Sequence, residues 1–188
     1  LSNALMGAYL ILKETKDKNN KPILESCSQI SIANSLMNMA TLGLSVQKKQ
    51  GYFISYGSQC QFQRSYFGNI TIARRYGMKD IHAEVIYDGD EFKYHIEDGN
   101  KVLDSHEQDF MNIDNDKILG AYAVVQMEDG TKHLEVMNMK QIKQSWSQGY
   151  GYKENGNGTH QKFTDQMAKK TVINRALKQI INLSLIHI

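Results

Sequence analysis

Proline occurs once in the 188 residues, at Pro22, so a proline-rich linker is excluded and a disordered tail of that composition is disfavoured. Cysteine occurs twice, as Cys27 and Cys60, 33 positions apart. That spacing fits no metal motif, and two residues are too few for a disulfide framework. Both are read as reduced thiols, which with the lack of a leader points to the cytoplasm. No apolar run is long enough to cross a bilayer, and residues 8–12 are too short for a span or a leader, so no membrane partner is expected. Charge of either sign is scarce in bulk: 22 Lys and Arg against 20 Asp and Glu give a net +2. A polyanion site must therefore come from clustering. The start on Leu1 and the apolar ending SLIHI read as the ends of a cut chain.

Recognisable catalytic patterns are also missing. The glycines at 149–151 and 156–158 lack the Lys-Ser/Thr ending of a phosphate-binding loop, which disfavours an ATP-driven enzyme. The histidines (His82, His95, His106, His133, His160, His187) are scattered, with no paired spacing for a metal. Asp104, Asp109, Asp114 and Asp116 lack the order and the glycine of a calcium loop. No serine or cysteine sits in a nucleophile elbow. The expectation is a protein that is not an enzyme.

Charge is segregated. Residues 80–116 are acidic, with Lys93 and Lys101 as the only lysines, whereas residues 161–188 carry five bases and, after Asp165, no acid. The stretch 161–183 predicts one long helix. Val172, Ile173, Ala176, Leu177 and Ile180 form its apolar stripe, and Lys170, Arg175 and Lys178 fall mostly opposite. Such a helix suits a polyanion, but it also suits a solvated surface whose last turns favour cations. Lys169 projects onto the apolar side, where it must snorkel, pair with a carboxylate or face a bound anion.

Earlier elements follow from local pattern. A helix at 1–12 turns Leu5, Ala8, Tyr9 and Leu12 inward, and residues 13–21 form a polar loop. Ser28 or Ser31 caps a helix that ends at Gly43. Strands at 52–56 and 59–63 flank a turn at Gly57. Ser65 caps a helix with Phe67, Ile70 and Ala73 inward and Arg74 and Arg75 in its last turn. Strands at 81–87, 91–97, 118–128 and 133–137 read as a β-meander, with an irregular acidic stretch at 104–117. Asn138 caps a helix at 139–147, and residues 149–160, rich in glycine, read as a mobile loop.

These pieces, in order, resemble the RecT family of single-strand annealing proteins, phage and prophage recombinases distantly related to lambda Redβ. The similar residues are Cys27; Leu42, Gly43 and Leu44; the strand YFISYG at 52–57; Gln61, Gln63, Tyr66, Gly68, Arg74 and Arg75; the hairpin VIYDGDEFKYHIEDG; and Met167, Ala168, Lys169, Lys170, Thr171 and Arg175. Lys48 and Lys49 depart from the turns of relatives, and Asn174 stands where a second base is common. The resemblance implies an α+β fold: a twisted antiparallel meander with helices on one face and the long basic helix closing a DNA groove. It implies one annealing domain over 1–188, with 1–24 an oligomer contact and 25–183 the core. It implies binding of single-stranded DNA and of a duplex annealing intermediate, without ATP and with magnesium at most a modulator, by a ring or helical filament of copies in a bacterial host. A 5′→3′ phage exonuclease and a host single-strand-binding protein would be partners, recruited by a C-terminal tail that this sequence lacks. Lys169, Lys170, Arg175 and Lys178 would then contact phosphates, Arg74 and Arg75 would line the facing wall, Tyr66 and Gln63 would pack against sugars or the minor-groove side, and Arg64 and Lys162 would also bind the DNA. Two other classes fit the residues alone: an assembly module using the basic helix against a protein, and a metal-dependent nuclease built on Asp88, Asp90 or Glu91 near a histidine.

Overall fold

The computed structural model describes residues 2–149, 152–153 and 156–186. It is α+β, with antiparallel strand pairs, and divides into two compact units, Leu1–Ile72 and Ala73–Ile188. Part of the expected loop, at Tyr150, Gly151, Glu154 and Asn155, lies outside the described residues, as do His187 and Ile188 of the apolar ending.

In the first unit, helix α1 (Ser2–Glu14) buries Ala8 and Leu12 completely. Tyr9, expected beside them, is exposed: one residue is 100° of helix, which carries it off the buried line. A polar loop closed by a bridge between Lys16 and Pro22 leads to the short α2 (Ile23–Ser26). Helix α3 (Gln29–Thr41) starts at Ser28, whose hydroxyl accepts the Ser31 N–H. It ends with Gly43 N–H on the Ala40 carbonyl and Leu44 N–H on the Met39 carbonyl. Gly43 takes φ +59°, and buried Leu44 follows it, which gives the Leu-Gly-Leu run a physical reason.

Strands β1 (Gly51–Tyr56) and β2 (Gln59–Arg64) form a hairpin. Two buried serines join it to α3: Ser35 donates to the Cys60 carbonyl, and the Cys60 N–H donates to Ser31 Oγ. Cys27 and Cys60 are free and buried, and burial pushes the Cys60 thiol above its usual range. Helix α4 (Tyr66–Arg75) begins at Ser65, whose hydroxyl accepts from Gly68 N–H. Its inward residues are Gly68, Ile72 and Ala73, while Phe67, expected inward, is exposed. A β-carbon on Gly68 would stand 2.0 Å from the Gln50 carbonyl oxygen, so the close approach itself demands glycine.

The second unit replaces the expected meander with a different order. Strands β3 (Met78–Tyr87), β6 (Ile118–Met127) and β7 (Lys132–Asn138) form one sheet with β6 central, and β4 (Glu91–Glu97) and β5 (Asn100–Glu107) form a separate hairpin between β3 and β6 in sequence. β5 occupies part of the stretch expected to be irregular, and two short 3₁₀ turns, Phe110–Asn112 and Asn115–Lys117, fill the rest.

One face of the sheet presents Val85, Tyr87, Ala121, Ala123 and Met137 to Ile142 and Trp146 of α5 (Met139–Ser147) and to Ala168 and Val172 of α7 (Thr164–Ile186). Asn138 and Gln141 close the N-terminus of α5 as a capping box. Each fully buried Val, Ile or Met side chain among these contributes about 1.5–3 kcal/mol. Tyr122, alternating to the other face, meets Phe92 of the hairpin at 5.1 Å between ring centroids.

Candidate nucleic-acid interface

The expected single helix at 161–183 is two. Helix α6 (Thr159–Lys162) ends at Phe163, which leaves helical geometry at φ −131°, and α7 starts at Thr164 with Asp165 in its first turn. An acid there answers the positive end of the helix dipole, which favours a new start. Lys162 therefore belongs to the last turn of α6, exposed, and not to the long helix. Within α7 the buried line runs through Ala168, Val172, Leu177 and Ile181, with Ile173, Ala176 and Ile180 half-buried at its side.

Two of the candidate cations hold α7 to the outer strands of the sheet. Lys169 Nζ donates to Glu84 Oε2 on β3 at 2.6 Å. Ala83 and Val85, either side of Glu84, belong to the helix-side core, so Lys169 extends over the sheet edge to reach it. The lysine on the apolar side thus pairs with a carboxylate. Arg175 Nε lies 3.2 Å from Glu135 Oε1 on β7, and Lys101 Nζ of β5 lies 3.6 Å from the same oxygen. These are ion pairs rather than aligned hydrogen bonds. Lys170 and Lys178 are exposed on α7.

Thr171, next to the two lysines, is fixed from α5: Trp146 Nε1 donates to its Oγ1 at 2.7 Å, while that hydroxyl donates to the Met167 carbonyl. Trp146 also touches the His160 and Tyr152 rings at 4.8 and 5.8 Å. Burial first, and the Lys170 charge second, push the His160 imidazole below its ordinary value. Beside this aromatic group, Met139, Lys140, Lys143, Gln144, Ser147 and Tyr152 line an open groove of about 460 Å³. Lys140 and Lys143 were not among the sequence candidates; their spacing of three along an amphipathic helix was the available signal.

In the first unit, Gln63 and Arg64 end β2 and Tyr66 opens α4. Gln63 stands opposite Tyr52 in the hairpin. Burial, and then the neighbouring Tyr52, push the Tyr66 phenol up. Tyr52 and Tyr56 are exposed alternate residues of β1, and Phe67 is exposed beside Tyr66 at 4.0 Å between ring centroids. Alternation in GYFISY carried the signal for the two tyrosines. Arg64 is half-buried, which pulls its guanidinium below its ordinary value, and its buried Nη1 has no hydrogen-bond acceptor among the described residues. Arg74 and Arg75 are exposed in the last turn of α4.

Of the acids weighed for a nuclease, Asp90 does lie beside a histidine. Its Oδ2 is 3.2 Å from His106 Nε2 and also accepts from the Tyr87 N–H and from Gln108, and Asn112 donates to Oδ1. The carboxylate is thus buried and satisfied by protein donors. Among the described residues no helix is long and apolar enough to cross a membrane.

A family model described as "RecT family" matches residues 4–186. Protein RecT of Escherichia coli (strain K12) is 28% identical over 191 residues, covering 96% of this chain and 68% of that protein. The uncharacterized protein YqaK of Bacillus subtilis (strain 168) is 29% identical over 168 residues, covering 86% of this chain and 55% of that protein.

Proposed function

Because this chain belongs to the RecT family, DNA-binding recombination proteins that anneal single strands, we propose that it binds single-stranded DNA and anneals complementary strands without ATP. The observation that carries the reading is the family match over residues 4–186. The geometry supports it with a helix whose buried face is fixed in a core and whose Lys169, Lys170, Arg175 and Lys178 crowd one element.

On this reading α7 lines one wall of a basic groove. Lys170 and Lys178 meet phosphates directly, while Lys169 and Arg175 exchange Glu84 and Glu135 for phosphate oxygens. Half-exposed ion pairs are worth about 0–1 kcal/mol, so the exchange costs little. Arg64, Arg74, Arg75 and Lys162 add further phosphate contacts. For Arg64 a phosphate oxygen would satisfy its buried Nη1. Tyr66 and Gln63 pack on sugars, and exposed Tyr52 and Phe67 offer faces to bases. Backbone contacts leave base edges open to a second strand, so pairing itself supplies the specificity. The working form is an oligomer, with magnesium as a modulator of annealing and an exonuclease and a single-strand-binding protein as partners in the bacterial cytoplasm.

The test adds two complementary oligonucleotides in sequence, without ATP, to the parent chain and to Lys169→Ala/Lys170→Ala. Fast annealing by the parent and its loss in the double variant is the expected result. Annealing that survives the substitution moves the groove away from α7. A parent that neither anneals nor binds DNA at low salt leaves an assembly module that uses the basic helix against protein.

A further inference from the structure

Two surfaces expose large apolar side chains on firmly built supports. One is the pair of 3₁₀ turns after β5, where Phe110 is 81% and Met111 83% exposed and Ile113 is also exposed. These turns are well tied. Asp109 Oδ1 accepts the Met111 N–H at 2.9 Å, Asp114 Oδ1 accepts the Asp116 N–H at 3.0 Å, and Asn112 reaches back to Asp90. The backbone therefore holds Phe110 and Met111 outward instead of letting them fold down. The second surface is the outer face of α1, where Met6, 62% exposed, is followed by Tyr9, Leu10 and Lys13 at helical spacing, away from the buried Ala8 and Leu12. Contiguous exposed apolar groups of this kind mark interaction sites.

Their charges are opposite. Around the turns, Glu107, Asp109, Asp114 and Asp116 face only Lys117. Beyond the α1 stripe come Lys13, Lys16, Lys18 and Lys21 against Glu14 and Asp17. A contact of either surface with its own copy would set like charges together, which is unfavourable; a contact between the two sets acids against lysines around an apolar centre. From this complementarity we infer that the Phe110–Met111–Ile113 turn of one copy binds the Met6–Tyr9–Leu10–Lys13 face of the next. Because the two patches differ, a copy can hold one neighbour by its turn and another by its α1 face, and repetition of that contact gives a ring or an open helix. The inference rests on the oligomeric part of the function proposed above, to which it adds the surfaces and the polarity.

Phe110→Ser/Met111→Ser removes one surface and Met6→Ser/Leu10→Ser the other. All four residues are exposed, so circular dichroism and thermal melting should match the parent. Sedimentation velocity across a concentration series should show the parent assembling, and each variant needing at least tenfold more protein to do so. An equimolar mixture of the two variants keeps one intact contact, since each supplies the surface that the other lacks, and should sediment as a dimer and no larger. A parent that stays monomeric, a variant that assembles like the parent, or a mixture that stays monomeric overturns the inference. Affinity for a short labelled single strand is read on the same samples. Assembly that both variants disrupt, in a parent with no such affinity, upholds this contact and sinks the annealing reading.

Discussion

Trp146 donates its indole N–H to Thr171 Oγ1 over 2.7 Å, and that bond joins α5 to the turn of α7 that carries Lys169 and Lys170. The only tryptophan of the chain is thus a positioning residue for the basic helix. Thr171→Val keeps the shape and removes the acceptor, leaving the indole N–H unpaired. It should cost about 1–3 kcal/mol in urea unfolding. In a cycle with Trp146→Phe the two losses should be coupled by about 1 kcal/mol. Additive losses would mean that the bond carries nothing beyond packing.

Glu84→Gln and Glu135→Gln remove the carboxylates that hold Lys169 and Arg175. Stability should change by no more than about 1 kcal/mol, because these pairs are partly solvated. Single-strand affinity should stay or rise, since phosphate no longer competes with an acid. Conversely, Lys169→Ala/Lys170→Ala should flatten the plot of log affinity against log salt by roughly 0.7 for each phosphate that is no longer neutralised. Titration at several salt concentrations with a fluorescent oligonucleotide measures both, and an unchanged slope removes these lysines from the interface.

Arg64 should show stability and function moving apart. Arg64→Met takes away a half-buried cation with one unsatisfied nitrogen, so thermal melting should be no lower than the parent's. Oligonucleotide affinity should fall. A variant that melts lower and binds normally would make Arg64 a purely structural residue.

Gly68→Ala tests the tightest backbone approach in the first unit. Its β-carbon would meet the Gln50 carbonyl, and backbone must move on one side or the other. A destabilisation of about 1–3 kcal/mol is expected from denaturant melts, as for other overpacking changes.

Asp90 gives the second unit an acid limit. Burial alone would push its carboxyl up, but donation from Gln108, the Tyr87 N–H, His106 and Asn112 outweighs burial and holds it below the ordinary carboxylate range. Its contribution is therefore complete above that range and disappears as pH falls through the lowered value. Asp90→Asn should be less stable than the parent at neutral pH, and the difference should shrink in urea melts taken towards pH 3.

Local signals made much of this fold legible. The serine start and glycine stop of α3, the Asn138 cap of α5 and the turn glycines are short-range chemistry, and those boundaries fell where the residues put them. Strand β5 was hidden because Asp104, Ser105 and His106 interrupt its apolar pattern, although Phe92 and Tyr122 both pack on His106. The pairing of β3 with β6 was hidden for another reason: no local pattern says that an intervening hairpin is to be skipped. The same limit applies to the site. The cations of α7 were visible along the helix, but Glu84 lies 85 positions from Lys169, and only the folded sheet brings them together.

The place of α7 in the chain bears on biosynthesis. Ala168 and Val172 complete the core over the β3–β6–β7 sheet, yet they are translated after every strand they cover. Until α7 has left the ribosome, that sheet face lacks the helix that carries Ala168 and Val172. The nascent second unit therefore stays vulnerable to chaperones and proteases until the basic helix emerges, and the helix that carries the candidate DNA contacts is also what ends that vulnerable interval.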